Sequence, residues 1–313
     1  GGCMDDFIEK PSVTGLTVEE VFSSAKNVEG AIALAYSYNL SSGLPIYSWT
    51  PPYLPYEATE AIMGGEDVDS SWGYMKDNLV SSGMSAADNY NEGAGLSDDY
   101  FPYNYKYIRH AFLVIENIYK VPDMSDEEKE IVVGEMKGLI AFRYLEMLKR
   151  YGGITIMDDL FEGGNIELPR NTFDECVEYI VRLCEEAAGG LPLRYPDNDY
   201  GRLTKGAALG LKAKVLLYAA SPLFNENPIA GTTEIQRYAS PDDRRWERAA
   251  KAALDVINLR MPNGAPAYEL FPSYERLFFT REGNHEFLIA RMQGMTNNVE
   301  KRQDIQGLPV IRV

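Results

Sequence analysis

The sequence predicts a mainly α protein of tetratricopeptide-like antiparallel helix pairs, with long irregular loops and few short strands. Helix start signals recur from one end to the other, apolar residues return at helical spacing, and strand-like runs are scarce. The chain has 313 residues, enough for a sizeable core. We read it as a single helical domain over 1–313, with one loop-rich segment at about 41–104.

Each helix is marked locally. In "TVEEVF" Thr17 and Glu20 have the spacing of a capping box, in which the first side chain accepts from the third helical amide and the glutamate reaches back. Ser125 with Glu128, and Thr172 with Glu175, repeat the pattern. Gly152–Gly153 should stop the helix of "GEMKGLIAFRYLEMLKRYGG", and Gly189 with Pro192 the next one. For "SPDDRRWERAAKAALDVINL" the expectation is Ser240 as cap, Pro241 in the first helical position and Asp242 in the first turn. Its core stripe would be Trp246, Ala249, Ala250, Ala253 and Ile257. Gly134, Gly138 and Ala141 share a face on which a neighbouring helix can come close. "YGGITIM" and "HEFLIAR" are the strand candidates. No period of about 34 residues is visible.

From about 41 to 104 the rhythm breaks into a stretch rich in Gly, Pro, Ser and Asn, crowded with Tyr47, Trp49, Tyr53, Tyr56, Trp72, Tyr74, Tyr90 and Tyr100. Disordered linkers lack aromatics, and long ordered loops in a compact domain are usually functional. The reading is an ordered binding segment. A ring offers a flat apolar face to the C–H face of a sugar, and nearby amides bond its hydroxyls. Trp72 and Tyr74 are the leading stacking rings, Tyr90 and Tyr100 the next, and Asn89 and Asn91 the hydroxyl partners.

Charge narrows the ligand. The net charge of −17 disfavours nucleic acid and other anions, so a neutral ligand fits best. No apolar run is long enough to span a membrane as a helix. Catalytic chemistry is poorly supplied. Only His110 and His285 are present; His110 lies in an apolar helix that calls for packing. No nucleophile elbow, zinc helix motif or phosphate loop occurs. Asp67 and Asp69 begin like a calcium loop, but Trp72 stands where glycine is needed and Asn78 where a bidentate glutamate is needed. No cofactor and no metal are expected. Cys176 and Cys184 fall in one helix with Cα atoms roughly 12 Å apart, beyond the reach of about 7 Å for a disulfide, and are read as small buried residues. An α-helical glycoside hydrolase and a peptide-binding adaptor stay open as alternatives, since 47 acidic residues offer many carboxylate pairs.

Five motifs in order resemble the SusD/RagB family of outer-membrane nutrient-binding lipoproteins. "YKYIRHAFLVIENI" carries Tyr105, Ile108, Arg109 and Ala111; "GEMKGLIAFRYLEMLKRYGGI" carries Gly134, Glu135, Arg143, Leu148, Tyr151, Gly152 and Gly153. "LPRNTFDECVEYIVRLCEEAAGGLP" follows. "GRLTKGAALGLKAKVLLYAASPLFN" carries Gly201, Arg202, Ala207, Leu217, Tyr218, Ser221 and Pro222, and "WERAAKAALDVI" completes the set. Phe101, Phe112 and Thr155 depart from the residues common there, at packing or turn positions. The resemblance implies a non-enzymatic protein that captures oligosaccharide or polysaccharide for a TonB-dependent, SusC-like transporter. It implies an anchor too: Cys3, followed by Asp5 and Asp6, resembles a mature lipoprotein start, which would place the protein at the outer-membrane surface on acyl chains. Relatives usually continue further, so the resemblance also implies a chain truncated on its C-terminal side.

Overall fold

The structure is a computed structural model and describes residues 17–39, 44–46, 56–58, 101–160, 168–226, 229–277, 280, 283–290 and 311–312. The helices are α1 (Val18–Val21), α2 (Ala25–Asn39), α3 (Phe101–Asn117), α4 (Asp126–Tyr151), α5 (Phe173–Gly190), α6 (Lys205–Ala220), α7 (Pro222–Asn225), α8 (Arg244–Ile257) and α9 (Tyr274–Leu277). The strands are β1 (Leu44–Ile46), β2 (Tyr56–Ala58), β3 (Phe287–Ile289) and β4 (Ile311–Arg312). By its contacts the chain divides into two units. One takes residues 1–40, 106–290 and 310–313; the other takes 41–105 and 291–309.

The first unit holds the helical stack. All three capping boxes form: Thr17 accepts from the Glu20 amide at 3.2 Å while the Glu20 carboxylate accepts from Thr17 N at 2.7 Å. Ser125 with Glu128 and Thr172 with Glu175 do the same. The longest helix, α4, is buried without interruption from Val132 to Met136 and again from Gly138 to Leu148. Helix α5 runs antiparallel to it. A Cβ at Gly134 would stand 3.1 Å from the Ala187 carbonyl near the end of α5, and one at Gly138 would stand 2.9 Å from Leu203. At the other end the Tyr144 and Tyr179 rings meet edge-on at 4.9 Å. The small residues of α4 therefore set the approach distance, as their spacing predicts. Helix α6 continues the alternation, with Lys212 paired to Glu185 at 2.8 Å. Phe173, fully buried at the start of α5, stacks on Phe224 at 4.7 Å and meets Tyr238 at 5.2 Å.

Four local expectations are corrected. "YGGITIM" is not a strand. Gly152 takes φ +70°, and the following backbone is used up locally: the Ile154 carbonyl accepts from Asn171 N at 3.1 Å, Ile156 N donates to Asn171 Oδ1 at 2.9 Å, and Met157 N to Tyr144 Oη at 2.8 Å. These bonds engage backbone groups that a ladder would need. Helix α5 passes through Gly189 and ends at Gly190, with Leu191 as its C-cap before Pro192. Ser240 is not a cap. Asn225 brackets Asp242, accepting from its amide and donating to its carbonyl at 2.9 Å each, so α8 starts only at Arg244. The stripe of α8 is also turned: Ala249, Ala252 and Val256 are buried, whereas Trp246 and Ile257 are 43% and 49% exposed. Small side chains on the inner face let α8 lie close to α6.

"HEFLIAR" does form a strand, β3, which pairs antiparallel with β4 through Phe287↔Arg312 and Ile289↔Ile311. In the second unit, β1 and β2 pair antiparallel with Leu44 opposite Ala58 and Ile46 opposite Tyr56.

Candidate functional site

The charged centre of the helical unit is Glu135 on α4. Its side chain is fully buried, and a bare carboxylate there would be very costly. It accepts from Arg202 Nε at 2.7 Å and Nη2 at 2.9 Å, from Tyr36 Oη at 2.8 Å and from Tyr195 Oη at 3.2 Å. The Arg202 guanidinium also lies over the Tyr195 ring at 4.6 Å. Tyr36 Oη in turn accepts from Leu203 N at 2.8 Å. Burial, then the neighbouring Glu135 charge, pushes both tyrosine hydroxyls up well above their ordinary value. Burial alone would lower Arg202, but its hydrogen bond to Glu135 and that group's charge raise it. Every donor is held in its donating form. This arrangement fastens α2 and the turn before α6 onto α4.

The histidines are also in structural use. His110 Nε2 donates to the Ala31 carbonyl at 3.0 Å, and burial lowers its pKa. His285 Nε2 lies 2.9 Å from Arg194 Nη1. A guanidinium only donates, so this nitrogen accepts and the ring is neutral. Burial, then the Arg194 charge, lowers its pKa. One histidine rides on α3 and the other precedes β3, each with its own backbone or arginine neighbour. Neither described cysteine is a poised nucleophile. Burial raises the Cys176 thiol to about 11, and Cys176 Sγ sits 3.3 Å from the Ile154 carbonyl; burial raises Cys184 further. Both are buried and free, as their spacing predicts. Among the described residues no group of His, Cys, Asp and Glu could hold a metal ion, and no helix is long and apolar enough to cross a membrane.

Trp72, Tyr74, Asn89, Tyr90, Asn91 and Tyr100 lie outside the described residues, as does Cys3. In sequence, the described elements that flank residues 59–100 are β1 and β2 before them and α3 from Phe101 after them. An open groove of about 400 Å3 lies elsewhere, between Val18, Phe22, Asn117, Lys120 and Pro122. Its aromatic residue, Phe22, is 3% exposed, so it offers no ring face to a sugar. Sequence reasoning had no role for Tyr36 or Tyr195. Their signal is a long-range one, and no local pattern announces it.

A family model for SusD-like proteins, described as "Starch-binding associating with outer membrane", matches residues 57–217. The chain belongs to the SusD-like family. The match takes in the aromatic segment from residue 57 onward and the helices from α3 through most of α6. Solved SusD-like structures agree on the fold. A SusD-like protein from Bacteroides fragilis NCTC 9343 is 22% identical, with a TM-score of 0.58 over 90% of this chain and 47% of that one. A SusD homolog from Bacteroides thetaiotaomicron VPI-5482 is 19% identical, with a TM-score of 0.56 over 88% and 48%. Surface glycan-binding protein A from Bacteroides thetaiotaomicron, solved with laminarihexaose, is 18% identical, with a TM-score of 0.54 over 85% and 49%. The chain thus spans about half the length of these solved structures. No curated protein matches it.

Proposed function

We propose that this SusD-like chain is a non-catalytic glycan-binding lipoprotein of the cell surface. It captures neutral oligosaccharide for import through a TonB-dependent, SusC-like transporter, and acyl chains on Cys3 hold it at the outer membrane. The observation that carries the reading is the family match over residues 57–217, because that stretch contains Trp72, Tyr74, Asn89, Tyr90, Asn91 and Tyr100. These are the residues whose chemistry suits a sugar: rings to stack on C–H faces and amides to bond hydroxyls. The net charge of −17 favours an uncharged ligand. Two features support binding without turnover. Both histidines are committed to structural hydrogen bonds, and both described thiols are buried. A related structure holds laminarihexaose, which makes that sugar the first ligand to try.

A glycan array that includes laminarihexaose, followed by calorimetry and a reducing-end assay, tests the reading. The expected result is binding of at least one neutral oligosaccharide with no release of reducing ends. Trp72→Ala should weaken that binding by about 1–3 kcal/mol, the range for burying a large apolar side chain, with little change in melting temperature. New reducing ends in proportion to protein would make it a hydrolase. Binding of peptide and of no glycan would make it an adaptor.

A further inference from the structure

The polypeptide leaves the helical unit after α2 and returns to it within α3, and both ends of that excursion meet at one arginine. Arg143, on α4, donates from Nη2 to the Asn39 carbonyl at 2.8 Å. Its guanidinium carbon lies 5.7 Å from the centroid of the Tyr107 ring. Asn39 adds a direct link: its Nδ2 donates to the Tyr107 carbonyl at 3.1 Å and to the Ala35 carbonyl of its own helix at 3.0 Å. Asn39 is fully buried and Arg143 is 5% exposed, so the bond between them is made away from water, where a charge-assisted bond is strong.

The chemistry suits the position. Asn39 is the last residue of α2, and the final carbonyls of a helix have no partner within it. They also carry the negative end of the helix dipole, which a cation satisfies best. Asn39 and Tyr107 are 68 residues apart in sequence. Bringing the ends of so long a segment together costs chain entropy, and contacts at the two ends offset it.

We infer that Asn39, Tyr107 and Arg143 form a clasp that ties the ends of the 40–106 segment together, and that Arg143 is a positioning residue for ligand binding. The positioning role rests on the reading of that segment as the oligosaccharide-binding one. The clasp itself rests only on the three residues. It fixes where the segment starts and where it returns, and groups held in place before ligand arrives bind it more tightly.

Hydrogen exchange on the full chain, with laminarihexaose as the calorimetric probe, tests both parts. Arg143→Met should speed exchange in peptides covering 36–46 and 101–110 by about tenfold, with α5 and α6 peptides unchanged, as expected for a local rather than a global opening. Arg143→Lys keeps a cation and should recover most of the protection. Asn39→Ala removes only the side-chain link and should give a smaller rise in the same peptides, which keeps the test decisive if Arg143→Met does not fold. Affinity for laminarihexaose should fall about tenfold in Arg143→Met and recover in Arg143→Lys. Unchanged exchange at the segment ends in the folded variants would overturn the clasp, as would an equal rise throughout α5 and α6. Faster exchange at the ends with undiminished affinity would overturn the positioning role. A wild-type chain that binds no laminarihexaose would count against that sugar as ligand and remove the support for positioning, while the exchange results still decide the clasp.

Discussion

Two arginine–glutamate pairs in the helical unit have the same chemistry and different surroundings. Arg202 holds Glu135 through two nitrogens in a site where the glutamate side chain has no exposure and the arginine side chain 32%. Arg248 holds Glu178 through two nitrogens as well, but there the side chains are 44% and 50% exposed. Around the first pair two tyrosine hydroxyls complete the carboxylate's shell. The second pair faces solvent, which can replace either partner. Geometry alone would rank them equal. Burial separates them, because the loss of the arginine is answered by water in one case and leaves a buried carboxylate with only two tyrosine donors in the other.

Removing one partner from each pair should therefore break the symmetry. Arg202→Met leaves a buried carboxylate with only the tyrosines, and should cost about 3 kcal/mol, the lower end of the range for an orphaned buried charge, because Arg202 is itself part-exposed. Urea denaturation measures it. Adding Glu135→Leu to that variant should recover part of the loss, since no charge then remains unpaired; a double variant as unstable as the sum of the singles would show that the two residues are not coupled. Thr172→Ala sits between the extremes. It removes the side-chain acceptor of the Glu175 amide at the start of α5 and should cost about 1 kcal/mol by thermal unfolding. Arg248→Met should cost under about 0.5 kcal/mol, and 0.5 M salt should erase even that difference, because exposed pairs are screened. A cost as large as that of Arg202→Met would mean that exposure does not separate the pairs.

Much of the fold was legible because helix signals are short-range. Thr17, Ser125 and Thr172 each find their partner three residues along, so the capping boxes needed only local sequence. The close face of Gly134 and Gly138 was legible for the same reason: its spacing lies within one helix. The candidate site is a reading of composition alone, rings and amides in a stretch without helical rhythm, and its residues lie outside the described ones. Its family setting was legible as motif order, and the family model agrees.

Partners across long separations were not legible. Glu135 and Arg202 both stood out as family-motif residues, yet nothing local says that they meet across 67 positions, or that Tyr36 and Tyr195 join them. Arg143 was similarly only a motif position until the fold brought Asn39 and Tyr107 to it. The face of α8 was misjudged because Trp246 and Ile257 look like core, while Ala249, Ala252 and Val256 are what fits against α6. By itself the sequence determined where α1, α4 and α5 begin and which residues are small enough for close approach. The tertiary structure decided which charges are buried together and which apolar faces are covered. Local hydrogen bonds depend on residues a turn apart, whereas burial depends on whatever the rest of the chain places alongside.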